Sequence, residues 1–100
     1  MRINYKDLIF EWDEEKNIKN IKKHNVTFFE GITVFDDDNA LYDTDEAHSD
    51  KEERFIIIGE SDNKRLLLVC HCFRESDEVI RVISARKATR REKKTYGGRR

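Results

Sequence analysis

The chain lacks proline altogether and has no serine- or glycine-rich stretch, so its composition marks no linker and no boundary between domains. One hundred residues suit a single domain with one modest core, and we expect residues 1–100 to form one unit. No apolar run approaches the roughly 20 residues that cross a bilayer, and the N-terminus lacks the layout of a signal peptide. We therefore expect a cytoplasmic protein that does not bind membranes.

Motifs for several common chemistries are missing as well. No glycine-rich phosphate loop and no Gly-x-Ser-x-Gly elbow occurs, which argues against a nucleoside triphosphatase and an α/β-hydrolase. The two cysteines, Cys70 and Cys72, are too close for an unstrained disulfide and too few for a zinc site, so we expect them to be buried. The carboxylates around His48 lack the regular ligand spacing of a calcium or zinc site. We expect no metal and no cofactor.

Charge is what the chain has in abundance: 41% of its residues are charged and 37% are hydrophobic. Residues 79–100 contain nine lysines and arginines and one acid, Glu92, which gives this segment a net charge of +8. Because the whole chain sums to −1, residues 1–78 must carry −9. A basic pole of this kind favours binding of a polyanion, although a solvated basic tail would give the same pattern.

Local patterns predict an α+β fold in which helices pack on a mostly antiparallel sheet. Asp13 is expected to cap a helix that ends at His24 before Asn25, with Ile18 and Ile21 as its buried stripe. Capping boxes predict two further helices, which begin after Thr27 and Thr89, and the first of them is expected to bury Phe28, Ile32 and Phe35. The predicted strands cover residues 8–10, 40–43, 54–60, 65–73 and 79–85, and the last three form an antiparallel meander.

Alternation along the last two strands predicts where a cation and a histidine meet. With a connecting loop at residues 74–78, Phe73 pairs with Val79 and His71 lies directly opposite Arg81 on an exposed face. An imidazole beside a guanidinium can recognise phosphate and exchange protons. A register error of one residue would destroy this pairing, and His71 could equally be an ordinary hydrogen-bonded sheet residue. The opposite face, beneath the helices, is predicted to hold Leu68, Cys70, Cys72, Ile80 and Val82.

The remaining cations are expected to surround one edge of the sheet. Arg86 and Lys87 follow the last strand, and the basic helix carries Arg90, Arg91 and Lys93. Arginine binds phosphate oxygens with two parallel hydrogen bonds, and lysine adds salt-dependent attraction. This combination fits RNA better than a compact metabolite.

Several segments resemble the BrnT family of toxins, over nearly the whole chain from about Ile9 to Tyr96. The block from Ser84 to Glu92 is the most specific, and Asn25 stands where the family usually has glycine. The other similar segments are Phe10–Asp13, Lys23–Phe28, Val34–Asp37, His48–Asp50 with Glu52–Phe55, Gly59 and Arg81–Ile83.

The resemblance implies a RelE-like fold, a metal-independent ribonuclease that arrests translation, and a BrnA-like antitoxin partner with a ribbon-helix-helix domain. The antitoxin would cover the basic surface and would alone contact operator DNA. On this hypothesis a ribose 2′-hydroxyl attacks the adjacent phosphate while His71 moves a proton and Arg81 and Arg86 stabilise the transition state. The RNA backbone would be held by Lys87, Arg90, Arg91 and Lys93. The alternative is a non-catalytic module whose basic C-terminal region binds nucleic acid or a protein.

Overall fold

The structure is a computed structural model that describes residues 1–98, so Arg99 and Arg100 of the predicted basic segment lie outside the described residues. Within these residues six strands form one sheet in the order β1-β2-β6-β5-β4-β3, and only β2 and β6 run parallel. The elements are β1 (Arg2–Tyr5), β2 (Leu8–Glu11), α1 (Glu14–His24), α2 (Phe28–Ile32) with a 3-10 turn at Thr33–Asp36, β3 (Leu41–Thr44), a 3-10 turn at Glu46–His48, β4 (Phe55–Glu60), β5 (Leu66–Arg74), β6 (Val79–Lys87) and α3 (Arg90–Gly97).

The predicted α+β class and the antiparallel meander β4-β5-β6 are confirmed. Strand β1 was not predicted. It forms a hairpin with β2 through a two-residue turn in which Lys6 and Asp7 both have positive φ, 51° and 69°. Glycine and asparagine usually mark such turns, so Lys-Asp gave no signal.

Helix α1 begins and ends as its sequence predicts. The Asp13 carboxylate accepts a hydrogen bond from the Glu15 amide at 2.8 Å, which satisfies one free amide of the first turn. Asn25 adopts the left-handed conformation at φ 58° and donates its amide to the Ile21 carbonyl at 2.8 Å.

The buried stripe of α1 was predicted wrongly. Ile18 and Ile21 are 51% and 36% exposed, whereas Asn17 and Asn20 are buried. Asn17 accepts the Phe28 amide at 2.9 Å. Asn20 donates to the carbonyls of Val26 and Ala85 at 2.9 and 2.7 Å and accepts the Ala85 amide at 3.1 Å. Helix α1 is thus tied to β6 by amide hydrogen bonds, which an apolar-periodicity argument does not detect.

Helices α1 and α2 cover one side of the sheet, which we call the helix face. From the sheet it presents Phe10, Leu67, Val69, Ile80, Val82 and Ala85, and the helices add Phe28 and Ile32. Gly31 allows α2 to approach closely, because a Cβ there would lie 3.2 Å from the Cβ of Ala85. This is the main core of the molecule.

The opposite side, which we call the far face, carries Leu68, Cys70, Cys72, Arg81, Ser84 and Arg86 from the two central strands. Helix α3 covers one end of it by packing Tyr96 on Ile58 and Leu68. The predicted capping box at the start of α3 is present, since Thr89 and Glu92 each bind the other's backbone amide. No helix among residues 1–98 is long and apolar enough to span a membrane.

Candidate functional site

A bulge between β5 and β6 decides which side chains share a face. Cys70 pairs with Ser84, but His71 pairs with Val82 and Cys72 with Arg81, so the register shifts by one residue at this point. In addition, β5 continues to Arg74, which pairs with Val79. A one-residue shift moves a side chain to the other face of a strand pair. The predicted pairing of His71 with Arg81 is wrong, because Val79 pairs with Arg74 and not with Phe73, and this register sets His71 opposite Val82.

His71 lies on the helix face and is 1% exposed. Its ring contacts Phe35 edge-on, with centroids 5.0 Å apart, and its Nδ1 donates to the Val69 carbonyl at 3.2 Å. Burial lowers the pKa of His71 to about 4, so the imidazole is neutral near pH 7. The exposed position on which its catalytic assignment depended is not found. The neighbouring residues of β5 are also on the face opposite to the predicted one: Leu68, Cys70 and Cys72 lie on the far face, whereas the prediction placed them beneath the helices.

Arg81 and Arg86 both lie on the far face, but they are five residues apart along β6, roughly 15 Å at the usual rise of a strand. Arg81 binds the Glu11 carboxylate at 2.9 Å. Hydrogen bonding from Arg2 and also from Arg81 lowers the pKa of Glu11, which keeps this carboxylate charged. Arg81 therefore belongs to an ionic cluster near the start of β6 and is separate from the environment of Arg86.

Arg86 lines a depression of about 340 Å³ on the open part of the far face, next to the first turn of α3. This far-face depression is lined by Asp45, His48, Arg54, Ile56, Leu68, Cys70, Ile83, Ser84, Arg86 and Glu92. It joins two arginines, an imidazole, a hydroxyl and two carboxylates in one concavity. Of the seven sequence-predicted site residues, Arg86 is the one that lines it.

His48 enters the depression as half of an imidazole–carboxylate pair. Its Nδ1 lies 3.1 and 3.0 Å from the two carboxylate oxygens of Asp45, and the side chain of His48 is 66% exposed. Because a carboxylate accepts hydrogen bonds, Nδ1 carries the hydrogen and Nε2 is left to take a proton. The loop is held in place by Ser49, whose hydroxyl donates to the Asp45 carbonyl at 2.7 Å and accepts the Arg54 amide at 3.0 Å. A solvent-exposed group oriented in this way suits proton transfer.

Arg54 contributes an unpaired donor. Its Nε is buried and has no hydrogen-bond partner within residues 1–98, and the Glu52 carboxylate lies 3.9 Å away, beyond hydrogen-bonding distance. A buried unpaired donor costs on the order of 1–3 kcal/mol, so native structures seldom retain one without a reason. At the wall of a concavity, an oxygen of an anionic ligand would satisfy it.

Arg86 is held in place by Glu92. Its Nη1 and Nη2 donate to the two carboxylate oxygens of Glu92 at 2.8 and 2.9 Å. This pairing raises the pKa of Arg86 and lowers that of Glu92, so both remain charged at neutral pH. The bidentate contact fixes the direction of the guanidinium, and its remaining donors can serve an anion.

The cysteines behave as the sequence predicts. Both are free and buried. Burial raises the pKa of Cys70 to about 11, and its Sγ lies 3.7 Å from the Asp45 carboxylate. Burial also raises the pKa of Cys72. Neither thiol is ionised near neutral pH, so neither is an activated nucleophile.

The other predicted RNA contacts are exposed and lie outside the depression. Lys87 ends β6 opposite Leu67, at the edge of the helix face, and its charge helps to lower the pKa of Glu30, although Arg65 is the main cause. Arg90, Arg91 and Lys93 are exposed on α3, and no hydrogen bond or ion pair within residues 1–98 involves their side chains. They extend the positive charge beyond Arg86 along the helix.

Sequence reasoning did not select His48 and Arg54. The carboxylates around His48 were considered only for a metal site, and Arg54 entered only as part of the family resemblance. The available signal was the segment from His48 to Phe55, which was part of the family resemblance but was not carried over to a role. Two sets of hydrogen bonds close this loop: those of the Ser49 hydroxyl, and the 2.8 Å bond from the Asp45 amide to the Arg54 carbonyl. The sequence does not reveal these bonds, although they bring His48 and Arg54 together.

These side chains define a small α+β domain equipped to bind an anion and to transfer a proton. Comparison with known families is consistent with that chemistry: the model of "Ribonuclease toxin, BrnT, of type II toxin-antitoxin system" matches residues 12–92. The chain therefore belongs to the BrnT family, as the sequence resemblance predicted.

The chain is similar in structure to the ribonuclease toxin BrnT of Brucella abortus, known from a crystal structure at 1.1 Å resolution. The sequences are 26% identical, the TM-score is 0.63, and the similarity covers 81% of this chain and 96% of the other. No match was found among curated proteins.

Proposed function

We propose that this chain is an active, metal-independent endoribonuclease whose site is the far-face depression. The observation that carries the proposal is the convergence of the His48–Asp45 pair with Arg54 and Arg86 in one open concavity. Membership in a family of ribonuclease toxins supports RNA as the substrate.

The proposed reaction is attack of a ribose 2′-hydroxyl on the adjacent phosphate. Nε2 of neutral His48 takes the proton of the 2′-hydroxyl as the 2′-oxygen forms a bond to phosphorus. The bond from phosphorus to the 5′-oxygen breaks with its electron pair, the leaving oxygen takes a proton from water, and protonated His48 returns its proton to the hydroxide that remains. The products are a 2′,3′-cyclic phosphate and a 5′-hydroxyl. Arg54 and Arg86 stabilise the extra negative charge of the transition state.

The other cations bind the RNA backbone in this proposal. Arg90, Arg91 and Lys93 continue from the depression along α3, and Lys87 and Arg81 contact more distant phosphates. Each phosphate contact contributes salt-dependent affinity without reading sequence. His71 takes no part in proton transfer, because it is buried on the helix face.

A type II system pairs the toxin with a protein antitoxin, and cleavage of cellular RNA would inhibit translation in the cytoplasm. We further propose that the antitoxin has a ribbon-helix-helix domain that contacts operator DNA, as the family resemblance implies. We also propose that the toxin fold is RelE-like. The six-stranded, mostly antiparallel sheet is compatible with that description.

The test is cleavage of a single-stranded model RNA in EDTA by purified protein free of antitoxin. His48→Ala and Arg86→Ala should each lower the rate about a hundredfold, the usual effect of removing one transition-state contact. Lys16→Ala, on exposed α1, is the matched control and should cleave like the wild type. Mass spectrometry of the fragments should find 2′,3′-cyclic phosphate ends.

Absence of cleavage in EDTA, or equal cleavage by the wild type and both site variants, would reject the proposal. The alternative, a non-catalytic binding module, expects Arg86→Ala to weaken RNA binding while no product appears. A passive binder needs the arginines but has no use for the oriented imidazole of His48.

A further inference from the structure

The helix face is not fully covered. Beyond the 3-10 turn that follows α2, the sheet leaves an open apolar groove of about 460 Å³. We call it the aromatic groove, because its walls include Phe35, Tyr42, Phe55 and Phe73. Tyr42 is 64% exposed and Phe73 is 38% exposed, which is unusual for large side chains on the side of a sheet that holds the core.

His71 lines this groove and supplies a polar atom without a partner. Its Nδ1 donates to the Val69 carbonyl, so its neutral ring leaves Nε2 as an acceptor. No hydrogen bond to Nε2 exists within residues 1–98, and because Nε2 is not one of the buried side-chain atoms that lack a partner there, it keeps some contact with the open groove. A ligand that fills the groove with an apolar group bearing one N–H or O–H would satisfy this acceptor.

The charges around the groove are acidic. Among residues 1–98, Asp43 is the one charged residue in its lining, and the adjoining depression, which shares Phe55 and Phe73, is lined by three further carboxylates and one arginine. These are Glu52, Glu53, Asp77 and Arg74, and Arg74 is already paired with Glu52 at 2.8 Å. Such a rim repels RNA phosphates and attracts a basic polypeptide.

The groove also reaches an edge of the sheet. Strand β3 is the last strand of the order, and its outer side pairs with no other strand within residues 1–98. A peptide segment laid along this edge can use the free backbone groups of β3 while its side chains enter the groove.

We propose that the aromatic groove docks a basic, amphipathic segment of the antitoxin, with one apolar anchor that donates a hydrogen bond to His71. Lysine or arginine side chains on that segment pair with Asp43, Glu53 and Asp77. The inference rests on the proposed function, which supplies the antitoxin. It places the contact on the opposite side of the sheet from the far-face depression, so antitoxin binding and RNA cleavage can be disrupted separately.

The test measures the Kd of the antitoxin encoded with this toxin by titration calorimetry. Tyr42→Ala and the double variant Asp43→Lys/Glu53→Lys should each weaken binding at least tenfold. The matched controls are Phe29→Ala, an exposed aromatic outside the groove, and Asp38→Lys, an exposed acid outside it, and both should bind within twofold of the wild type. Overlapping 15-residue antitoxin peptides should identify a binding segment with net positive charge.

RNA cleavage by the same variants, free of antitoxin, separates the two proposals. If the wild-type protein does not cleave RNA, only the proposed function is rejected. If the groove variants bind the antitoxin as tightly as the wild type does, the proposed docking of the antitoxin in the groove is rejected. Loss of cleavage in Tyr42→Ala with intact antitoxin binding would assign the groove to RNA. A change from dimer to monomer in light scattering, with unchanged antitoxin affinity, would assign it to a second copy of the chain. Either result overturns the inference.

Discussion

The region beneath α1 and the far-face depression treat buried polar groups in opposite ways. On the helix face, Asn20 makes three hydrogen bonds to backbone groups and Asn17 accepts a fourth, so every interaction serves the packing of α1. On the far face, the Nε of Arg54 is buried without a partner, and Arg86 is held by a carboxylate at the rim of an open depression. The comparison indicates that the buried amides of α1 stabilise the fold, whereas the polar groups of the far-face depression are arranged to receive an anion.

The largest expected effect is on the helix face. Asn20→Ala removes both hydrogen bonds to Ala85 and the one to Val26 and leaves those buried backbone groups unpaired. With about 1–1.5 kcal/mol for each bond and a penalty for each unpaired group, we expect the free energy of unfolding to fall by about 4 kcal/mol. Urea denaturation measures it.

Asn63→Ala, at an exposed turn, is the control and should change the stability by less than about 0.5 kcal/mol. A loss below about 1 kcal/mol for Asn20→Ala would mean that α1 is not tied to β6 in this way.

Arg54→Ala should show the reverse behaviour on the far face. We expect the cleavage rate to fall about a hundredfold, close to 2.7 kcal/mol of transition-state stabilisation. The free energy of unfolding should stay the same or rise by about 1 kcal/mol, because an unpaired buried donor disappears. Rates on the model RNA and denaturation of the same preparation provide both numbers.

Arg65→Ala is the matched variant, because Arg65 pairs with Glu30 near the start of α2 and lies outside the depression. Arg65→Ala should lower the free energy of unfolding and leave the RNA cleavage rate unchanged. Equal loss of both properties in the two variants would contradict the separation of the faces.

The pH dependence of stability reports the burial of His71. The unfolded chain binds a proton at His71 near pH 6.5, whereas burial lowers its pKa to about 4 in the folded protein. Between these values the unfolded state holds more protons, so stability falls as the pH decreases. From pH 6.5 to 5 the cost is on the order of 2 kcal/mol, from about 1.4 kcal/mol per pH unit.

His71→Leu should therefore lose less stability over this range than the wild type, as measured by denaturation at each pH. Asn63→Ala, at an exposed turn, is the control and should keep the wild-type dependence. An unchanged acid sensitivity in His71→Leu would show that His71 is accessible to protons in the folded state.

The smallest expected effect concerns the outer side of α1. Ile18→Gln should change the free energy of unfolding by less than about 0.5 kcal/mol, because Ile18 is 51% exposed. A loss above about 1.5 kcal/mol in thermal or urea denaturation would place Ile18 in a core, as its spacing with Ile21 originally suggested.

Predictions from the sequence succeeded where the determinants are local. The caps of α1 and α3 depend on residues within a few positions of one another, and Asp13, Asn25 and Thr89 all act as predicted. The assignment of His71 depended on counting residues across the turn between β5 and β6, and the connection is one residue shorter than predicted, since Arg74 and not Phe73 pairs with Val79. That turn places Glu75, Ser76 and Asp77 at positive φ, and no glycine or asparagine in the sequence marks its length.

The candidate site was predicted in part for the same reason. Arg86 was identified from its place in a basic segment that is continuous in the sequence. His48 and Arg54 reach the same depression from the loop before β4, and their approach depends on the closure of that loop on itself and on the contact of Asp45 with Cys70 of β5. The burial of Asn17 and Asn20 was not predicted, because asparagine is usually found on the surface. In the structure the side-chain amide of Asn20 binds the backbone of β6 where a neighbouring strand would otherwise bind it, and the sequence gives no sign of this.

Glu92 serves two neighbours with a single oxygen: its Oε1 accepts from the Thr89 amide at 2.8 Å and from Nη1 of Arg86 at 2.8 Å. An anion that draws Arg86 away changes the environment of the amide that begins α3. The nitrogen resonance of Thr89 should therefore shift when substrate binds, even though Thr89 lies outside the depression. The amide signal of Thr89 would thus report whether the far-face depression is occupied, without requiring RNA cleavage or a labelled nucleic acid.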